Sequence, residues 1–202
     1  MKKEYEDVIT EYLGVEPIEI NSSLVSAQRR KRLYWTNIPG VQLPADKGIL
    51  LENIVHENEP DPPANLDDYK VPFDDTFQIL NSEVQKGKIG YFRKDSQANR
   101  VYSIHGKAVT LCGEAGGGAA KMGQYLFGTL PAQARHGILI DGYIRKLTPI
   151  ECERLQNLPD NYTLADGVPD PQRYKTLGNG WTVDVIAHIF DNLQLMDELM
   201  DF

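Results

Sequence analysis

Gln28-Arg29-Arg30-Lys31-Arg32 sets four cations and an amide on one short connector. In an extended segment alternate side chains face the same way, so Gln28, Arg30 and Arg32 share a face of amide and guanidinium groups. Such a face suits phosphate oxygens or the carbonyl edge of a base; taken alone, a solvated basic turn is the plainer reading. Gly178-Asn179-Gly180-Trp181 stands just before a C-terminal apolar run. Backbone amides and an aromatic ring at a helix start could hold a carboxylate and stack on a flat ring; a tight turn capped by a packed tryptophan is the plainer alternative. Thr148-Pro149-Ile150-Glu151 has the spacing of a capping box with proline at the first helical position. Glu151 and Arg154, three apart, suit bracing of each other or of a neighbour rather than chemistry. Gly113-Glu114-Ala115-Gly116-Gly117-Gly118 is no phosphate loop, because Ala119, Ala120 and Lys121 follow where Gly-Lys-Ser/Thr is needed. It reads as a flexible loop. The two cysteines, Cys112 and Cys152, cannot form a disulfide framework or a four-ligand zinc site, and none of the four histidines has metal-pair spacing.

The elements that must position these residues follow from periodicity. Residues 2–13 carry Tyr5, Val8, Ile9, Tyr12 and Leu13 on a helical period, which predicts an amphipathic helix. Strands are expected at Val15–Ile20 and Leu33–Ile38, flanking the basic connector. Residues 39–78 are rich in proline and acid, and outside a turn of helix at Leu50–Val55 they read as an irregular, exposed connection. Short strands are expected at Lys88–Arg93, Arg100–Ile104, Ala108–Cys112 and Gln124–Phe127. Asp141-Gly142, between apolar residues of Ile138–Arg145, predicts a hairpin turn. A helix should run from Thr148 to Leu155 or Gln156, and another turn of helix from Gln172 to Leu177, broken by Gly178-Asn179-Gly180. The last helix, Thr182–Leu199, should present Val183, Ile186, Ile189, Phe190 and Leu193 on one face.

The 202 residues, 41% of them hydrophobic, suffice for one large domain or two small ones. No run of about 18 apolar residues exists, which excludes a membrane-spanning helix. The basic N-terminus has no apolar stretch behind it, so a secretory signal is not expected and the chain reads as cytoplasmic. The net charge of −8 hides a pattern. Residues 1–43 balance six acids with six bases; residues 44–78 carry nine acids and two bases, or −7. Residues 86–146 carry ten bases and three acids, or +7, and residues 147–202 return to −7 with ten acids and three bases. A basic middle can face phosphate despite acidic flanks, because screening confines each patch to about 10 Å.

Three segments in this order resemble the C-terminal portion of the DNA (cytosine-5) methyltransferases: NSSLVSAQRRKRLYW (21–35), RKLTPIECERLQNLP (145–159) and YKTLGNGWTVDVIAHIF (174–190). The Gly-Asn-Gly-Trp form is most similar to bacterial and phage enzymes related to the mammalian de novo type, which include those of restriction–modification systems. Tyr102–Leu111 (YSIHGKAVTL) resembles the end of the family's target-recognition region. The resemblance implies an α/β chain: a partial Rossmann-like class I methyltransferase domain with a smaller β-rich target-recognition domain. Residues 1–43 would belong to the catalytic domain, 44–144 to the connector and recognition domain, and 145–202 to the return into the catalytic domain. The family flips cytosine out of double-stranded DNA, adds a cysteine thiolate at C6, and methylates C5 from S-adenosylmethionine. By that likeness Arg32 would bond the cytosine O2, with Gln28 and Arg30 bracing the catalytic pocket. Asn179, Gly180 and Trp181 would line the cofactor pocket, and Lys107, Thr110, Leu111 and Arg145 would meet DNA.

The family's Phe-x-Gly-x-Gly, Pro-Cys and Glu-Asn-Val elements have no counterpart here. Neither cysteine follows a proline, and Glu52-Asn53-Ile54 stands after the arginine array instead of before it. The expectation is therefore a chain that supplies target recognition and part of both pockets, while a partner chain or N-terminal half brings the nucleophile. The alternative is a noncatalytic DNA-binding accessory or relic module, inactive in methyl transfer.

Overall fold

The computed structural model describes residues 1–56, 65–72, 74–79, 88–95, 99–111, 124–129 and 141–200. Helix α1 (Lys3–Leu13) ends on Gly14, whose φ of 66° lets its N–H reach back to the Thr10 carbonyl at 2.8 Å. The chain then forms an antiparallel ribbon of β1 (Pro17–Asn21) and β2 (Lys31–Trp35), with Asn21 opposite Lys31 and Ile20 opposite Arg32. The Trp35 indole N–H donates to Thr10 Oγ1 at 3.0 Å and ties α1 to the ribbon. Short 3₁₀ turns follow at Leu51–Asn53 and Leu66–Tyr69.

A six-stranded sheet holds the middle of the chain. Its strands are β3 (Lys70–Val71), β4 (Phe77–Ile79), β5 (Lys88–Phe92), β6 (Arg100–Ser103), β7 (Gln124–Thr129) and β8 (Asp141–Arg145), in the order β3-β8-β7-β6-β5-β4. Only β6 and β7 run parallel. Side-chain alternation gives the sheet two buried faces. Phe77, Ile89, Phe92, Val101, Leu126 and Ile144 pack on one. Tyr102, Tyr125 and Phe127 face the other, where they join Ala27, Leu51, Leu147, Cys152, Leu155 and Leu177 in the main core. That core binds the sheet to the segments that flank it in sequence. Gly90 lies where a Cβ would come within 2.4 Å of the Gln78 carbonyl, so only glycine fits there.

Three helices close the chain: α2 (Pro149–Leu155), α3 (Asp170–Asn179) and α4 (Val183–Met200). The capping box forms as expected, with Thr148 Oγ1 accepting from the Glu151 N–H at 3.2 Å and Glu151 accepting from the Thr148 N–H at 2.8 Å. Among the described residues no helix is long and apolar enough to cross a membrane.

Several expectations need correction. Asp141-Gly142 is no turn: both residues lie inside β8, opposite Thr129 and Gly128. Ala108–Leu111 makes no strand and instead meets the basic connector, through a parallel bridge of Ala108 with Gln28. Gly178 does not break the third helix. α3 continues through Asn179, because Gly180 N–H still bonds the Thr176 carbonyl at 2.9 Å. On the described part of α4 Ile189 is buried as expected and Val185 joins it, both packed on Ile20 and Val25, while Val183, Phe190 and Leu193 stay exposed. The glycine-rich run 113–118 and Cys112 lie outside the described residues.

Candidate functional site

The basic connector places its three aligned side chains in unlike surroundings. Gln28 is fully buried: its Nε2 donates to the Leu155 carbonyl at 3.3 Å, and its Oε1 accepts from Leu111 N–H at 2.9 Å. Arg30 is almost as buried. Its Nη1 donates to the Leu111 carbonyl, and its Nη2 to the Gly178 and Gly180 carbonyls, all at 2.9 Å. These two residues thus rivet the connector to the end of the sheet domain and to the turn after α3. Such charge-assisted bonds to buried carbonyls hold both segments in fixed register.

Arg32 differs because the ribbon carries it out of the core. It is exposed, and the hydrogen bond that its guanidinium makes is to the neighbouring Lys31 carbonyl at 2.8 Å. It borders two hollows at once. One is a cavity of about 360 Å³ whose lining includes Arg32, Tyr34, Trp35, Asn179, Trp181 and Phe190. The other, about 450 Å³, is lined by Asn21, Arg29, Lys31, Arg32 and Thr110. Burial pushes the Tyr34 hydroxyl above its ordinary value against the opposing pull of Arg30 and Arg32, so it stays a neutral donor and acceptor at neutral pH.

Asn179 and Trp181 meet in the first cavity, as the sequence pairs them. Trp181 is 67% exposed, so its ring is open to a ligand and is not a packed cap. Gly180 contributes its carbonyl to Arg30. Thr182 Oγ1 is wired to Ser22 Oγ at 2.8 Å and to Gln156 Oε1 at 3.0 Å, which anchors this turn to β1 and α2.

The four residues expected at DNA divide. Thr110 lines the second hollow, and its hydroxyl donates to the Arg29 carbonyl at 2.5 Å. Lys107 donates to the Ser23 and Ser26 carbonyls at 2.7 and 3.2 Å, so its ammonium is committed to holding the loop between β1 and β2. Leu111 belongs to the core. Arg145 is fully buried against Glu151, with its Nη2 2.6 Å and its Nη1 2.8 Å from the two carboxylate oxygens, and its guanidinium lies 4.1 Å from the Phe127 ring centroid. It is an internal clamp between β8 and α2 and does not reach the surface.

Other chemistry-bearing residues are structural. Glu151 also accepts from His56 N–H at 3.0 Å, and Arg154 pairs with Asp160; each braces a neighbour, not the other. Glu52 pairs with His105 at 2.6 Å. Cys152 is fully buried, and burial drives its thiol well above the ordinary value, with Glu151 and Glu153 adding to the effect. A thiol so placed is inert as a nucleophile. Sequence reading did not single out Asn21, Tyr34, Trp35 or Phe190 as site residues; the strand pattern that puts Tyr34 and Trp35 beside the array was the available signal.

An array of guanidinium donors between an aromatic cavity and a cationic hollow suits a nucleic-acid base together with its phosphate, and the family match agrees. Residues 24–195 match the model of the C-5 cytosine-specific DNA methylases, and the chain belongs to this family. It is 34% identical over 120 residues to the type II methyltransferase M.HhaI of Haemophilus parahaemolyticus, covering 57% of this chain and 32% of that protein. It is 30% identical over 182 residues to the type II methyltransferase M.BanI of Aneurinibacillus aneurinilyticus, covering 88% and 35%. The chain thus spans about a third of the length of these relatives. Among solved structures, a methyltransferase of Entamoeba histolytica superposes with a TM-score of 0.57 at 19% identity, over 95% of this chain and 58% of that one. The fold is that of a partial methyltransferase, an α/β chain whose mixed sheet packs on the segments around the array.

Proposed function

We propose that this chain supplies the target-recognition side, and part of the base and methyl-donor pockets, of a DNA cytosine-5 methyltransferase, and corresponds to the C-terminal portion of such enzymes. The carrying observation is Arg32, the exposed member of a locked array, standing on the boundary between the two hollows. Its guanidinium donates to the carbonyl oxygen of an extruded cytosine. When a nucleophile adds to the ring, negative charge grows on that oxygen, and a donor already in place stabilises it without reorganisation. Gln28 and Arg30 act as positioning residues, since the bonds described above tie them to the backbone of Leu111, Leu155, Gly178 and Gly180.

The residues present fit S-adenosylmethionine by chemistry: Trp181 and Phe190 offer apolar aromatic surface, the Asn179 amide suits a carboxylate, and Arg32 adds a cation. When bound, that group supplies the methyl. Trp181 and Phe190 would bind its flat or apolar parts and shield them from water. The nucleophile must come from a Pro-Cys element outside these 202 residues, whether on the same polypeptide or a partner. Cys152 cannot serve, being buried in the core. We therefore expect this chain to be inactive in methyl transfer by itself.

Arg32→Ala tests this reading in the assembled enzyme. Loss of one such donor should lower the methylation rate about 10²- to 10³-fold. Duplex affinity should fall less than about tenfold, because other cations remain. Equal activity would overturn the assignment. The second reading, a noncatalytic DNA-binding accessory, is favoured by the missing Pro-Cys element; it predicts duplex binding with no methyl transfer in any assembly.

A further inference from the structure

The turn between α3 and α4 presents Asn179 and Trp181 to the aromatic cavity, yet neither side chain holds itself in place. The Asn179 amide and the Trp181 indole make no hydrogen bond among the described residues, and both residues are exposed. Where they stand is therefore decided by the backbone from Leu177 to Val183 and by the groups that hold it.

Gln156 grips that backbone at both ends. It is fully buried at the C-terminus of α2. Its Nε2 donates to the Leu177 carbonyl at 2.7 Å, and its Oε1 accepts from the Thr182 hydroxyl at 3.0 Å. Its own carbonyl accepts from Val183 N–H at 2.9 Å. Two side-chain bonds of opposite sense leave the amide one orientation. The end of α2 needs none of this, because the Gln156 N–H closes the helix on the Glu153 carbonyl at 2.9 Å, so the whole side chain serves the turn. Gln156 is itself anchored through the adjacent Leu155 carbonyl, which accepts from Ser26 Oγ at 2.6 Å and Gln28 Nε2 at 3.3 Å. Arg30 holds the Gly178 and Gly180 carbonyls inside the turn, but its last hold comes before Trp181. The next hold on the far side of that ring is the Thr182 bond to Gln156. An exposed binding group keeps its place only when its support is rigid, and a buried amide bonded at both ends supplies that rigidity.

We infer that Gln156 is a positioning residue of the methyl-donor pocket, setting where Asn179 and Trp181 stand by pinning both ends of the turn that carries them. This rests on the pocket proposed above for S-adenosylmethionine. Gln156 touches neither Arg32 nor the basic hollow, so its effect falls on donor binding and spares the cytosine chemistry and the hold on DNA.

The test compares Gln156→Met, Thr182→Val and Thr182→Ser with the wild type. Methionine keeps the unbranched stem of glutamine and loses both bonds, valine removes the hydroxyl, and serine keeps it. In the full chain alone, hydrogen exchange at the Gly180 and Val183 amides should quicken about tenfold in the first two variants, the scale of a lost buried hydrogen bond, and match the wild type in the third. With a Pro-Cys-bearing complement, the same two variants should raise the KM for S-adenosylmethionine about five- to tenfold, while kcat and duplex affinity stay within about twofold. Thr182→Ser should restore that KM. If circular dichroism shows that Gln156→Met does not fold, the contrast of Thr182→Val with Thr182→Ser decides. Faster exchange with an unchanged KM, or equal KM in the valine and serine variants, makes the clamp purely structural and overturns the inference while the functional reading stands. Failure of the wild-type assembly to bind S-adenosylmethionine overturns the functional reading, and the inference with it.

Discussion

Replacing Arg30 by lysine keeps the charge and removes the fork. In the wild type two nitrogens of one planar group satisfy three carbonyls, those of Leu111, Gly178 and Gly180, each at 2.9 Å. A lysine ammonium is a point donor on a different stem and cannot span the sheet end and the α3 turn together. At least one buried carbonyl is left without its charged partner, and at most two are. A hydrogen bond to a charged group contributes about 1.5–3 kcal/mol, so losing one or two of them in Arg30→Lys should destabilise the chain by about 1.5–6 kcal/mol. Urea unfolding followed by the fluorescence of Trp35 and Trp181 measures this. With a typical slope near 2 kcal/mol per molar, the midpoint should fall by about 0.75–3 M at unchanged slope. Arg30→Met, which abandons all three carbonyls, should fall further. A loss below about 0.5 kcal/mol for Arg30→Lys would refute the idea that Arg30 rivets these segments.

Three more outcomes follow from the buried charges and the thiol. Glu151→Gln leaves Arg145 charged at full burial and should cost about 3–5 kcal/mol in the same unfolding experiment. Cys152→Ala should leave the methylation rate of the assembled enzyme within about twofold, since a buried thiol does no chemistry; a loss beyond about 10²-fold would make it the nucleophile. Glu153 gives a pH dependence. Burial alone would raise its carboxyl, but bonds from Thr163 and the Arg173 guanidinium outweigh this and hold it below the ordinary value. A depressed folded value means that the contribution is complete above the unfolded value near about 4.3 and is lost as pH falls through the folded one. Residues 157–169, fastened by Asn161 and Thr163 N–H groups to that carboxylate, should gain hydrogen exchange in this acid range. Glu153→Gln should show the faster exchange already at neutral pH.

What sequence reading recovered and what it missed have separate physical causes. The α1 period, the ribbon strands and the Thr148 capping box are local patterns and form where expected, the second strand starting two residues earlier and ending three residues earlier than its pattern predicts. The array was legible as residue types, but the division of labour within it was not. Gln28 and Arg30 are buried by partners more than 80 residues away, at Leu111, Leu155, Gly178 and Gly180, while Arg32 is freed by the ribbon edge. The family likeness implies Arg145 as a DNA contact; burial against Glu151, six residues on, makes it an internal clamp instead. Asp141-Gly142 carried a strong local turn signal, and pairing with β7 overrode it. The α4 periodicity points to Ile189 correctly but not to Val185, because the partners that select the buried face, Ile20 and Val25, lie at the other end of the chain.

The central claim is that this chain completes a cytosine methyltransferase and that Arg32 acts at the flipped base. Its most direct test is incorporation of labelled methyl from S-adenosylmethionine into cytosine of duplex DNA, with the chain alone, with a Pro-Cys-bearing complement of the family, and with the same complement and the Arg32→Ala chain. The account predicts 5-methylcytosine only in the second assembly, with the third reduced at least about 10²-fold. Methylation by the chain alone, or equal methylation with and without Arg32, would contradict it.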